Sequence, residues 1–357
     1  MRNILTSKWT MLAMLLAVGA CMHFGLIADP GHAVFGLAAL STAPFTVNPE
    51  LTAVAVGFKN TEDSLIADEV LPRVDTAETF AWTKYDTAEQ FTVPDAKVGR
   101  KSEPNQVTFT SEQVTDKVED FGLDDFVPQR DMDVWAAMPK PAGGGPVSPE
   151  MVATMGLTNL IVLGREVRAA SVVFNPGNYE VGLKATLAGN DQWSDYDDSD
   201  PLKAILEALD KPLVRPNKMV IGGLAWTTLR QHPKIVQAVH INATGAGTVT
   251  RQQLADLLEI EKVVVGGARV NTARKGQAAN FVRTWGKHCA LIYSSKIAAQ
   301  TFQPTWGWTA QFGTRFAGTI PEPKRGLKGG NTIRVGEQVK EVVAAKGAGY
   351  FFENVVA

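Results

Sequence analysis

Hydrophobic and polar positions are unevenly spread along this chain. Met11–Ala28 is almost wholly apolar, and up to Pro49 the only ionisable side chains besides histidine are Arg2, Lys8 and Asp29. A basic start before an apolar run is the pattern of an export signal. Val18-Gly19-Ala20-Cys21 also sets small residues before a cysteine, as a lipoprotein signal does. The run is at the short limit for a membrane span, and His23 and Gly25 interrupt it. An apolar arm packed on other protein gives the same pattern, as does a start placed upstream of Met22. Leu51–Phe58 and Leu65–Val74 are the next apolar blocks. Asp63 or Ser64 is placed to cap a short helix from Leu65 to Val70, which Pro72 ends.

Asp75–Asp131 breaks this pattern. Its 57 residues hold one leucine, Leu123, and no isoleucine, but are rich in Thr, Val, Phe, Asp, Glu and Lys. Gln106–Thr110 alternates with period two and Phe80–Tyr85 partly does, which predicts strands with one wettable face. Pro94-Asp95, Gly99 and Glu103-Pro104-Asn105 supply turns between them. The result is a long excursion of two or three strands, too poor in aliphatic side chains to form its own core. Isolated hairpins are marginal in water, so other protein must hold it.

Pro139–Pro146 reads as a hinge or linker. A long helix follows, with Ser148 as cap, Pro149 in the first turn and Glu150 at the positive end of the dipole. Val152, Gly156, Leu160, Leu163, Val167, Ala170 and Phe174 share one face, and Asn175-Pro176-Gly177 stops the helix. From Val181 to Tyr293 short apolar strands (Met219–Ile221, Val263–Val265, Ala290–Tyr293) alternate with helices at Pro201–Lys211, Ala225–Gln231, Ile235–His240 and Arg251–Leu258. In the first of these helices Leu202, Ile205, Leu206 and Leu209 lie on one side. This is the pattern of a small α/β domain. Strand patterns return at Trp306–Phe312, Ile333–Ala344 and Tyr350–Val356.

Charge and composition narrow the function. The chain has 357 residues, 35 Lys plus Arg against 37 Asp plus Glu, and a formal charge of -2. That balance leaves no basic surplus for non-specific nucleic-acid binding, though it permits a local patch. Cys21 and Cys289 are the only cysteines, which excludes a disulfide framework and a cysteine-built zinc site. The five histidines show no metal-ligand spacing.

No motif carries catalytic chemistry. Asp191, Asp195, Asp197, Asp198 and Asp200 are the densest acid cluster. Counted from Asp195, the glycine and glutamate positions of a calcium loop hold Asp200 and Leu206, so the cluster reads as a solvated turn before a helix. Gly222-Gly223 and Gly266-Gly267 follow strands but form no nucleotide-binding loop; they read as tight turns. Cys289 beside His288 reads as a buried structural thiol. Trp306 and Trp308 share one strand face, where they would pack on a neighbouring layer rather than stack on bases or sugars. No nucleophile–base pair emerges, so the chain reads as a non-enzyme with no catalytic, cofactor or metal residues.

The order of elements and several strings together resemble the major capsid proteins of tailed bacteriophages, which have the Hong Kong 97-type fold. The strings are Leu65-Ile66-Ala67-Asp68-Glu69-Val70-Leu71-Pro72, Lys97-Val98-Gly99-Arg100-Lys101, Leu123-Asp124-Asp125, the run from Lys218 to Pro233, and Gly349-Tyr350-Phe351-Phe352-Glu353-Asn354. The resemblance spans Phe45 to Ala357. It implies an α+β fold with residues 1–75 as N-terminal arm, 76–127 as an extended β-hairpin or E-loop, and 128–180 as a peripheral domain with the spine helix. Residues 181–293 would form the α/β axial domain and 294–357 the strands returning to the peripheral domain. It also implies self-assembly through hexamers and pentamers into an icosahedral head shell in the bacterial host cytoplasm. The shell would enclose double-stranded DNA without sequence-specific binding and without a membrane. Scaffolding, portal and decoration proteins are the implied partners. Some members cross-link a loop lysine to an asparagine; Lys84, Lys97, Lys101 and Lys117, with Asn354, are the matching residue types, and no dedicated acid accompanies them. The competing readings are a nanocompartment shell of the same fold, and an exported lipoprotein or surface-binding module.

Overall fold

The computed structural model describes residues 46–57, 65–85, 92–107, 111–139, 147–240, 245–295 and 305–357. The apolar run Met11–Ala28 with Cys21, the proposed caps Asp63 and Ser64, and linker residues 140–146 lie outside them. The described residues begin with strand β1 (Thr46–Val47), helix α1 (Pro49–Gly57), the one-turn helix α2 (Ala67–Val70) and β2 (Arg73–Asp75). The Asn48 side chain accepts from the Glu50 N–H at 3.0 Å, which starts α1. Helix α2 begins two residues later than expected. Ile66 stands at its start with no side-chain cap, and the Glu166 carboxylate accepts from the Ala67 N–H at 2.6 Å instead.

Next come β3 (Thr79–Tyr85), β4 (Ser111–Lys117), β5 (Glu119–Pro128) and helix α3 (Gln129–Ala137). Strands β3 and β4 form a separate antiparallel ribbon from Thr79–Lys117 to Tyr85–Ser111. Gln106 and Val107, expected in a strand, are irregular and exposed because pairing ends at Tyr85–Ser111; Thr108–Thr110 lie outside the described residues. The coreless excursion is also shorter than its composition implied. Strand β5 pairs with β14 (Gly330–Val343) from Glu119–Val339 to Pro128–Gly330, so its many acids line a strand of the first sheet. That sheet is completed by β12 (Gly307–Gln311) and β13 (Phe316–Pro321), in the order β13-β14-β12-β2.

Helix α4 (Pro149–Val173) is the beam of the molecule. The Ser148 hydroxyl accepts from the Met151 N–H at 3.2 Å, and Pro149 fills the first turn. At 25 residues it is about 38 Å long. Its first half buries Ala153, Leu157 and Ile161 against Ile333 and Val335 of the first sheet and Leu51 and Ala55 of α1. Its last turns bury Ala169, Ala170 and Val173 against the second sheet. The face its spacing indicated is buried only in part: Ala170 is buried and Leu163 and Phe174 pack on the core, but Val152, Gly156, Leu160 and Val167 are exposed, while Arg165 and Glu166 are inside. The helix is apolar on nearly every side, so periodicity alone cannot choose its inner face.

The second sheet has five strands: β6 (Lys184–Thr186), β7 (Lys218–Gly222), β8 (Lys262–Gly266), β11 (Cys289–Ile292) and β15 (Gly349–Glu353), in the order β6-β15-β11-β7-β8. A small ribbon of β9 (Arg269–Asn271) and β10 (Phe281–Arg283) projects after β8. Helices α5 (Pro201–Asp210), α6 (Gly223–Leu229), α7 (Pro233–Val239) and α8 (Arg251–Leu258) contribute Ile205, Leu229, Ile235 and Leu254 to one core layer, over Met219, Ile221, Leu291 and Phe352. In α5 Leu206, expected inside, is exposed, because Ala208 and Leu209 take the inner side. On the other face Val220, Ala290 and Phe351 meet α4, Tyr179, Trp285 and Trp306.

One further expectation changes here. Strand β15 does not return to the first sheet but inserts between β6 and β11. Tyr350, Phe351 and Phe352 are all buried, as a central strand covered on both faces requires. Gly222-Gly223 turns β7 directly into the following helix as expected, and Gly222 and Gly266 also serve close approach: a Cβ at Gly266 would lie 2.2 Å from the Trp285 ring, and one at Gly222 the same distance from the Trp285 carbonyl oxygen.

Candidate assembly surfaces

The chemistry-bearing residues are used as structure. Cys289 is fully buried, and burial pushes its thiol far above the ordinary range, so no thiolate forms. His288 lies against Phe174, ring centroids 5.4 Å apart, and its Nδ1 accepts from the Asn354 N–H at 3.1 Å. In the aspartate cluster Asp195 accepts from the N–H groups of Asp197 and Asp198, and Asp200 caps α5 through the Lys203 N–H at 3.1 Å. Among the described residues no three His, Cys, Asp or Glu side chains come together as a metal site. No helix there is long and apolar enough to cross a membrane.

One nucleophile–base pairing escaped the sequence. The Ser199 hydroxyl and His232 Nε2 are 3.1 Å apart, and both residues are buried. However, His232 Nδ1 accepts from the Lys234 N–H at 3.3 Å, which leaves the ring proton on Nε2. The Ser199 hydroxyl in turn donates to the Asp195 carbonyl. Burial, helped by the neighbouring Lys234 charge, lowers the His232 pKa. A neutral histidine that donates to the serine is not its base. The pair ties the aspartate turn to the start of α7.

Trp306 and Trp308 do not share a face. Trp306 precedes β12 and stacks on Tyr179 at 5.2 Å in the second sheet's core. Trp308 packs edge-on to Phe80 and Trp82 at 5.5 and 6.3 Å, which pins the foot of the β3–β4 ribbon. Beyond that foot residues 92–107 are all exposed. Lys97, Lys101 and Lys117 are exposed on this excursion, and Lys84 lies in β3. Asn354 follows β15 in the other sheet with a left-handed backbone, φ 54°.

Beneath the outer surface a charge network holds arm, helix and sheet together. Asp68 of α2 pairs with Arg165 of α4 and with Arg73 Nε at 2.7 Å. Glu337 of β14 receives Arg73 at 3.1 Å and Arg315 at 3.0 Å. Burial acts to raise the Glu337 pKa, but Arg73, Arg315 and Arg165 outweigh it and hold the carboxyl below its ordinary value. Glu166 receives the Ala67 N–H and, at 2.7 Å, the Trp285 indole N–H; burial still raises its pKa. The one hint in the sequence is the cluster Arg165, Glu166 and Arg168 within an otherwise largely apolar helix, which does not say which partners the charges meet.

The outer surface is apolar where an isolated protein would be polar. Val152 and Leu160 of α4 are each 55% exposed. They border a groove between α4, α3 and the end of β5, lined also by Phe126, Val134, Trp135 and Met138.

A helix beam shared by two sheets, a ribbon held only at its foot and exposed apolar side chains around a groove are the features this surface presents. The solved structures agree in fold. A phage-related protein from Bordetella bronchiseptica RB50 matches with a TM-score of 0.65 and 22% identity, over 87% of this chain and 98% of that one. The capsid of a native GTA particle matches with a TM-score of 0.52 and 11% identity, over 94% and 97%. No family model matches the sequence. The major capsid protein of Pseudomonas phage JBD67 is 47% identical over 319 residues, which is 89% of this chain and 100% of that protein. The chain belongs to the phage major capsid proteins. Its place is the virion capsid, and the lipoprotein and nanocompartment readings are not favoured.

Proposed function

We propose that this chain assembles with copies of itself into the closed icosahedral head shell of a phage, in the host cytoplasm, around double-stranded DNA that it does not read. The observation that carries this reading is the outward apolar face of α4 with its groove. An apolar helix face belongs inside protein, yet in one subunit Val152, Leu160 and Val167 of α4 stay exposed to water. Hexamers and pentamers of a Hong Kong 97-type subunit supply the missing cover. In that frame residues 1–75 act as arm and the excursion carried by β3 and β4 acts as E-loop lying on a neighbour. Strand β5, α4 and β12–β14 belong to the peripheral domain, and residues 181–293 with β15 to the axial domain. Scaffolding, portal and decoration proteins complete the particle. The function is the shell itself, without turnover, cofactor or metal.

Electron microscopy and sedimentation of the recombinant protein test the proposal. Closed particles of uniform diameter are the expected result. A monodisperse monomer under every salt and pH condition would overturn it, and particles filled with enzyme cargo in place of DNA would move it to the nanocompartment class.

A further inference from the structure

Charge is segregated within the second sheet. From Lys262 to Pro321 the chain contains eight Lys and Arg and no Asp or Glu. The β9–β10 ribbon lies in this window. Arg269, Arg274 and Lys275 are exposed on it, and Arg283 is half-buried. None of the four makes an ion pair with a described residue. Phe281, 66% exposed, and Val282 add an apolar tip. Residues 188–200, in contrast, hold five Asp and no Lys or Arg. Among the described residues only Asp200 of these five forms an ion pair, with Lys234 at 3.7 Å.

Topology puts the two patches at the same end of the sheet and on opposite flanks. Strands β6 and β15 are parallel, β7 and β8 are parallel, and β11 runs antiparallel to both β15 and β7. Strands β6, β15, β7 and β8 therefore all point one way. The acidic turn leaves the end of β6, and the basic ribbon follows the end of β8. These are the outermost strands, four spacings or about 19 Å apart. The patches cannot neutralise each other within one subunit. Placed head to tail around an axis, each subunit's basic flank meets its neighbour's acidic flank, which is the heterologous contact that closes a ring.

We infer that the β9–β10 ribbon docks on the aspartate turn 191–198 of the next copy, and that this charge pairing sets the direction of subunits around the capsomer ring. The inference rests on the shell reading above and names one of its contacts. Nucleic acid is the other natural partner of a basic ribbon. A second copy fits better because the chain carries the complementary patch itself, and because exposed Phe281 and Val282 suit a protein surface. Exposed ion pairs contribute little individually, so this surface orients and speeds association, while apolar contacts hold the ring.

The test is charge reversal followed by compensation. Arg269→Glu, Arg274→Glu and Lys275→Glu together should slow assembly, followed by light scattering at 0.15 M salt, at least tenfold, with the thermal unfolding of the free subunit unchanged. Adding Asp191→Lys, Asp197→Lys and Asp198→Lys should restore it. In assembled particles, Arg274→Cys with Asp197→Cys should give a ladder of disulfide-linked pentamers and hexamers on a non-reducing gel. Wild-type assembly rate in the reversed variant, or particles with no ladder, would overturn the inference while leaving the shell reading intact. Reversal that spares assembly but abolishes retention of DNA would assign the ribbon to nucleic acid and overturn it too. Wild-type protein that forms no particles would overturn both.

Discussion

At the scale of single residues, the decisive positions are charges placed inside. Glu337 is 1% exposed and bridges Arg73 and Arg315. Its folded pKa lies below the unfolded value of about 4.3, so its stabilisation is fully present above that value and is lost as pH falls through the folded pKa. Glu337→Gln should cost about 3–5 kcal/mol at pH 7, because buried arginines lose their partner. Denaturant unfolding of the free subunit should show that difference shrinking below pH 4. Glu166 has the opposite sign: its pKa is raised, so its protonation adds stability as pH falls through the folded value. Cys289 should resist alkylation in the native subunit and react only on unfolding, as peptide mass spectrometry would show. Cys289 was legible as a buried thiol from its apolar strand. The network was not, because Arg165 meets Asp68 across 97 positions and Glu166 meets Trp285 across 119. Local pattern holds no record of such pairings.

At the scale of elements, ends were legible and faces were not. Ser148, Pro149 and the Asn175-Pro176-Gly177 stop mark α4 because caps are local chemistry; the helix at Arg251–Leu258 also forms as expected, and the structure adds a capping box of Thr250 and Gln253 that starts it. Which side of α4 faces inward depends on sheets made from distant sequence. The outer side yields a clean test. Val152→Glu with Leu160→Glu should change subunit stability by no more than about 0.5 kcal/mol, since both are surface positions. The same pair should abolish particles in electron micrographs, because it puts charge on a face that must lose water. The β3–β4 ribbon yields a second test. Trp308→Ala should destabilise by about 3–5 kcal/mol and free the ribbon's foot. Hydrogen exchange would then show faster exchange confined to β3, β4 and the start of β5.

At the scale of the whole molecule, the α+β character and order of elements could be read in advance, but the sheet partners could not. Strand β5 is too acidic to announce itself, and it is a strand because β14 supplies ten partners some 200 residues later, with Arg334 clamping Asp124 at 2.6 and 2.7 Å. Strand β15 closes the second sheet from the far end of the chain. The excursion's poverty in aliphatic residues was legible, and it pointed outward to other copies. The same logic covers the α4 face and the two charged flanks: surfaces that make no sense on one subunit complete one another on many. The most direct measurement is a cryo-electron-microscopy map of assembled particles, resolved well enough to trace the β3–β4 ribbon. In such a map the ribbon beyond Trp308 and the Val152–Leu160 face of α4 are both expected to be covered by neighbouring copies. Particles in which both surfaces face solvent would contradict it.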